Sequence, residues 1–184
     1  MSKYIALKKQ VVVLGRYSLV PIRHEDRYLI MEWRNQQMYH LRQETPLTKE
    51  MQDEYFANVI TKIFEQEQPE QILFSYIKDF DCIGYGGLVH INWIDKNAEL
   101  SFIMKTELEE IEFEIHWKNF LKMINEIAIN DLCLIKTYTY AYDLRPKLYD
   151  VLEDSKYNLE ARLRKHKNID NKFVDVLIHS RINE

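Results

Sequence analysis

Only two cysteines, Cys82 and Cys133, occur among the 184 residues, too few and too far apart for a metal-ligand motif or a disulfide framework. No metal is expected, and a reducing cytoplasm is the implied setting. Long apolar runs are also lacking: none approaches the roughly 18 residues that a membrane span needs. Residues 1–10 carry lysines but no apolar h-region, so neither a membrane location nor export is expected. Nor is there an excess of positive charge. The formal net charge is −4, which gives no general attraction for a polyanion and argues against nucleic acid as a partner. One local exception, Arg162, Arg164, Lys165, His166 and Lys167, reads as a solvated turn. Internal repeats, low-complexity tracts and linkers are missing too, which predicts one domain over residues 1–184.

What is present is core-forming material. Hydrophobic residues make up 46% and aromatics 12% of the chain, a composition that packs rather than remains disordered. The periodicities alternate between strand and helix. Residues 18–22 read as a short strand, and 25–35 as a helix with Leu29, Ile30 and Trp33 at helical spacing. A second helix, 48–65, has Thr48 as cap and Met51, Tyr55, Val59 and Ile63 as its stripe. Residues 71–77 form a strand, 78–81 a turn, and 82–93 and 98–104 two more strands joined at 94–97, an antiparallel meander. The spacing of Phe113, Trp117, Phe120, Leu121, Ile124 and Ile127 predicts a helix over 113–129 before a strand over 132–142, the crossover of a parallel pair. Asp143 and Pro146 start a helix that runs to about residue 154. Residues 172–181, with Phe173, Val174, Val176, Leu177 and Ile178, read as a closing buried strand.

Several segments in this order resemble the GCN5-related N-acetyltransferase (GNAT) family. They are Tyr17-Ser18-Leu19-Val20-Pro21-Ile22 with Asp26 and Trp33-Arg34-Asn35; Ile83-Gly84-Tyr85-Gly86-Gly87-Leu88; Ala98-Glu99-Leu100-Ser101-Phe102; Leu152-Glu153; Glu160-Ala161-Arg162-Leu163-Arg164; and 171–177. The sequence is similar in particular to the branch with ribosomal-protein N-terminal acetyltransferases and nucleotide-linked amino-sugar acetyltransferases. The resemblance implies an α/β (α+β) fold: a mixed, mostly antiparallel sheet of about six to seven strands flanked by about four helices. It also implies a V-shaped splay between strand 98–104 and strand 132–142. The implied activity is transfer of an acetyl group from acetyl-CoA to a primary amine, with an amino sugar or sugar nucleotide as the expected acceptor. A protein N-terminus or a small polyamine is the alternative. The expected state is monomer or homodimer.

The chemistry assigns roles. An amine with a pKa of about 10 must lose a proton before it attacks a thioester. Strand alternation sets Glu99, Ser101 and Ile103 opposite Ala98, Leu100, Phe102 and Met104, and a carboxylate on a central strand is costly without a purpose. Glu99 is therefore the expected base, with His90 as the alternative, and Tyr138 the expected acid for the leaving thiolate. The resemblance places the oxyanion donor in Phe102, Ile103 and Met104, with Lys105, Arg145 and Tyr149 completing the cofactor-binding set. Trp33, Arg34, Arg42, Gln43, Tyr85 and His90 are the expected acceptor side, where an arginine could grip a phosphate or carboxylate.

The chain also departs from the family. A Gly-rich basic loop commonly holds the pyrophosphate of acetyl-CoA at a helix start. Here the sequence is Lys105-Thr106-Glu107-Leu108-Glu109-Glu110-Ile111-Glu112, with no glycine and with carboxylates that repel phosphate. Arg145 and Leu148 stand where the ribosomal-type branch has asparagine and serine. A second reading follows, a GNAT-fold binding or scaffold protein without turnover, and side chains filling the splay would favour it.

Overall fold

Alternating apolar residues and short polar turns fold most of the chain into hairpins. In the computed structural model, which describes residues 2–183, the strands are Val12–Leu14 (β1), Tyr17–Pro21 (β2), Ile72–Lys78 (β3), Asp81–Asn92 (β4), Asn97–Met104 (β5), Lys136–Tyr142 (β6), Asn158–Ile169 (β7) and Lys172–Ile182 (β8). They make one sheet in the order β1-β2-β3-β4-β5-β6-β8-β7. Every neighbouring pair is antiparallel except β5 and β6. The helices are Arg27–Gln36 (α1), Lys49–Tyr55 (α2), Thr61–Ile63 (α3), Thr106–Ile111 (α4), Phe113–Asn130 (α5) and Pro146–Asp154 (α6).

Helix α5 buries its predicted face, Phe113, Trp117, Phe120, Leu121, Ile124 and Ile127. Phe102 of β5 stacks on Phe120 with centroids 4.2 Å apart and meets Trp117 edge-on at 5.1 Å. Asp26, just before α1, is buried and accepts from Arg23 at 2.7 Å and from Ser75 Oγ of β3 at 2.6 Å, which fixes the start of α1 against the sheet. Gly86 lets β4 approach β5: a Cβ there would lie 2.3 Å from the Ser101 carbonyl oxygen.

Three expectations need correction. The buried stripe after Thr48 is Gln52, Phe56, Ile60 and Ile63, while Met51 is 45% exposed. A π-helical turn over Phe56–Ile60 joins α2 to α3. Thr48 does cap α2, accepting from the Met51 N–H. Residue Arg145, not Asp143, is the N-cap of α6 and makes no side-chain cap bond. Finally, the basic run lies in β7, a sheet-edge strand, where charge on an exposed edge discourages pairing with other chains.

The Tyr157 hydroxyl, fully buried, donates to Asn125 Oδ1 of α5 at 2.6 Å and shares a 2.8 Å bond with Thr137 Oγ1 of β6. It thereby ties α5 to the strand that forms one wall of the site. Tyr157→Phe leaves the Asn125 oxygen buried without its donor. We expect a loss of about 1–3 kcal/mol in urea unfolding, with the m-value unchanged.

Candidate active site

Strands β5 and β6 pair only through Asn97↔Lys136, Ala98↔Thr137 and Glu99↔Tyr138. Beyond that β5 stays with β4 while β6 stays with β8, so the two diverge. The gap holds a cavity of about 180 Å³ that passes through the plane of the sheet. Trp117, Thr139 and Leu148 wall one side, and Arg42, Glu99, Tyr140 and Tyr142 the other.

The backbone of β5 is turned toward this gap. Lys105 N–H donates to Ile83 O at 2.8 Å, so by alternation residues 99, 101, 103 and 105 direct their polar groups to β4. Leu100, Phe102 and Met104 direct theirs to the splay; the Met104 oxygen accordingly accepts from Gln37 Nε2 at 2.8 Å. Two buried side-chain donors in the same cavity have no partner, Trp117 Nε1 and Thr139 Oγ1. Unsatisfied buried polar atoms are costly and rare, so a polar group of a ligand is the natural partner for them.

Glu99 stands at the point of divergence. It is 5% exposed, pairs with Arg42, and lies 3.9 Å from His90 Nε2. Burial raises its carboxyl above the ordinary value, with Arg42 and then His90 opposing the shift. Arg42 is held in turn with its guanidinium carbon 4.9 Å above the Tyr140 ring. His90 adopts a positive φ of 51° at the irregularity in the β4–β5 ladder; its side chain is 64% exposed and does not line the cavity.

A second cavity, about 380 Å³, opens between α1, α2 and the sheet face. Its walls are mainly apolar, with Ile22, Ile30, Leu47, Phe56, Leu73 and Val89 among them. Arg34 and Ser101 line both cavities. Arg34 donates to Gln43 Oε1 at 2.9 Å and to the Tyr85 hydroxyl at 2.7 Å.

At the other end of the splay Arg145 lines both the inner cavity and an outer one of about 380 Å³, so its side chain stands between them. It pairs with Glu109 at 2.6 Å, both side chains 11% exposed. One guanidinium nitrogen lies 3.0 Å from His40 Nδ1, and the Phe113 and Trp117 rings lie beneath the cation. Burial, followed by the Arg145 charge, pushes the His40 pKa down to about 3, so this imidazole is neutral. The acidic segment forms α4, with Glu107 and Glu109 in its first turn. Carboxylates there already complement the helix dipole.

The structure thus brings together Glu99, Phe102, Arg34, Arg42 and Arg145 around one cavity, with Tyr85 in the adjoining one; Ile103 also lines the first, but its N–H faces β4 and is not the expected oxyanion donor. It does not bring in the others. Tyr138 belongs to the last paired position and lines neither cavity; the tyrosines of β6 that line the inner one are Tyr140 and Tyr142, past the divergence. Trp33 is 4% exposed and packs in the core, and the Met104 side chain is fully buried. Lys105 is half-exposed and 3.9 Å from Glu107. Tyr149 turns away, donating to Asp143 Oδ1 at 2.9 Å and stacking on His179. Gln43 supports Arg34 rather than lining a cavity. His40, Trp117 and Thr139 are additions; the sequence reading makes Trp117 core alone, and its orphaned nitrogen depends on contacts distant in the chain.

The inner cavity, its two orphaned donors and the free backbone groups of β5 fit the thioester end of acetyl-CoA. Arg145 and Lys147 line the outer cavity beside Glu109 and Glu110, so positive charge for the far end requires Arg145 to part from Glu109. Among the described residues, no group of three or more His, Cys, Asp and Glu residues could hold a metal, and no helix is long and apolar enough to cross a membrane.

Comparison with solved structures finds the same architecture. Spermidine N-acetyltransferase from Vibrio cholerae, in complex with CoA and spermine, superposes with a TM-score of 0.78 at 19% identity, covering 92% of this chain and 96% of that one. A dodecameric structure of spermidine N-acetyltransferase from the same organism gives 0.73 at 18%, covering 92% and 95%. At such identities the likeness speaks for the fold alone. No curated protein matches. The profile of the acetyltransferase (GNAT) domain matches residues 19–178, and the chain belongs to that family of acetyl-CoA-dependent N-acetyltransferases.

Proposed function

We propose that the β5–β6 splay is the transfer site of this N-acetyltransferase and that the acceptor is a small primary amine entering from the side of α1 and α2. The observation that carries this is the pair of orphaned donors, Trp117 Nε1 and Thr139 Oγ1, on residues that line a cavity beside unpaired β5 backbone. Acetyl-CoA supplies the activated acetyl group. Leu100 and Phe102 N–H groups hold the acyl oxygen as it gains charge. Glu99, made more basic by burial, takes the ammonium proton directly or through water. Tyr142, which lines the cavity, stands in place of Tyr138 to protonate the departing sulfur. Arg145 meets the phosphate end after parting from Glu109.

For the acceptor, the amino-sugar expectation rested on Arg34, Arg42 and Gln43. Arg42 is already paired with Glu99, and Gln43 is held between Arg34 and Asn35. Those bonds leave few groups to read sugar hydroxyls. The relatives named above act on spermidine, which makes a polyamine the other class to include. Sedimentation of the protein tests the monomer or homodimer expectation, since one relative is a dodecamer.

Thr139→Val tests the site. Removing an unsatisfied buried hydroxyl at constant shape should leave stability unchanged or raise it by about 1 kcal/mol. Acetyl-CoA affinity, measured by isothermal titration, should fall several-fold. A variant that loses stability, or binds acetyl-CoA as the wild type does, overturns the assignment.

A further inference from the structure

We infer that the acceptor is an amine that also carries an oxyanion, bound by Arg34, and an apolar portion, bound in the second cavity. This inference rests on the acetyltransferase reading of the splay and deepens it. A guanidinium has five N–H donors, and Arg34 uses two of them, on Gln43 and Tyr85. Both partners are neutral, and no carboxylate pairs with Arg34 among the described residues. The other cation on this side, Arg42, is neutralised by Glu99. Arg145 is neutralised by Glu109. Arg34 is therefore a half-buried charge without a counter-ion, and removal of a charge from water is offset only by a partner.

Its position says where the partner comes from. Arg34 and Ser101 form the boundary between the splay and the second cavity. An amine directed toward Glu99 places the atoms next to it against Arg34 and the remainder of the molecule in the second cavity. That cavity is walled by Ile22, Ile30, Leu47, Phe56, Leu73 and Val89, and no aspartate or glutamate lines it. Three features of one ligand follow: an amine toward the splay, a carboxylate or phosphate on the planar guanidinium, and an apolar body beyond. A polyamine meets none of the last two requirements. Arg34 repels its second ammonium, and the apolar wall offers that ammonium no carboxylate.

The oxyanion has two sources, and the assay separates them. Acetyl transfer is followed as thiol release from acetyl-CoA, with L-leucine and L-methionine for the carboxylate and (1-amino-3-methylbutyl)phosphonic acid, leucine with a phosphonate in place of its carboxylate, for the phosphate-type oxyanion. The controls are 3-methylbutylamine, which is leucine without its carboxylate, and spermidine. At least one anionic amine is expected to exceed both controls in kcat/KM by about 100-fold. Arg34→Gln should abolish that advantage mainly through KM, and Arg34→Lys should restore only part of it, since a point charge lacks the planar fork. Thermal melts check that the variants fold. Equal or better use of 3-methylbutylamine or spermidine by the wild type overturns the inference, as does an advantage that survives Arg34→Gln. Saturable acetyl-CoA binding with no transfer to any of these amines also counts against it. Loss of acetyl-CoA binding itself would instead sink the acetyltransferase reading of the splay.

Discussion

Glu99→Gln is expected to lower kcat on the order of 10³-fold while acetyl-CoA binds almost as before. The substitution keeps the shape and one hydrogen-bond acceptor for Arg42 but removes the basic lone pair. Little stability should be lost, because the Arg42 side chain is 47% exposed and its charge can return to water. The pH dependence distinguishes catalysis from scaffolding. Burial raises the Glu99 pKa above the ordinary glutamate range, and the group acts in its ionised form. The wild-type kcat should therefore fall as pH drops through that raised value, on a limb displaced upward from where an exposed glutamate would put it. The variant loses this limb. Its rate should instead climb as pH approaches the amine's own pKa of about 10, where free amine no longer needs a base. His90→Ala, at an exposed position 3.9 Å from Glu99, should change kcat less than about threefold. If His90→Ala carries the larger loss, the proton goes to the imidazole and Glu99 only positions it.

The part of this site visible in the sequence was what local alternation controls. Glu99 on the face opposite Phe102 follows from a period of two, and Thr48 before an amphipathic run marks a helix start. The parts that were hidden depend on contacts far apart in the chain. Arg42 as the partner of Glu99 is set by how the segment after α1 returns over β6. Tyr138, Tyr140 and Tyr142 share one face, but which of them meets the cavity depends on where β5 and β6 stop pairing, and that is decided between residues some 40 apart. Strand β7 escaped detection because Asn158–Ile169 is exposed at most positions and polar, so it has no apolar alternation to read. Strand β1 is three residues long. The stripe after Thr48 is offset by one position from Gln52 onward, ahead of the π-helical turn, because apolar residues stand at both candidate sets of positions, Met51, Tyr55 and Val59 in one and Phe56 and Ile60 in the other, and periodicity alone does not choose between them. In contrast, the meander β3-β4-β5 and helix α5 were legible because their burial follows directly from sequence pattern.

Arg145→Ala is expected to cost about 3–5 kcal/mol of stability, because it leaves Glu109 buried without its cation. For a chain of this size that corresponds to a fall in Tm on the order of 10 °C. The same variant should weaken acetyl-CoA binding, but destabilisation alone could do that, so the opposite end of the pair provides the decisive measurement. Glu109→Gln keeps a hydrogen-bond acceptor for Arg145 and removes the charge that neutralises it. If the pair is a latch between the inner and outer cavities, this variant frees the guanidinium for phosphate and removes a repulsive carboxylate from the approach. Acetyl-CoA should then bind several-fold more tightly, even though Glu109→Gln is itself destabilising. The neutral His40 beside Arg145 offers no competing charge, so the effect should vary little with pH between about 6 and 8. Opposite signs at the two ends of one ion pair cannot arise from loss of folding, which would weaken binding in both. Weaker binding in both variants would make the pair a brace for α4 and α6, and the family's missing glycine loop would then need another replacement than Arg145.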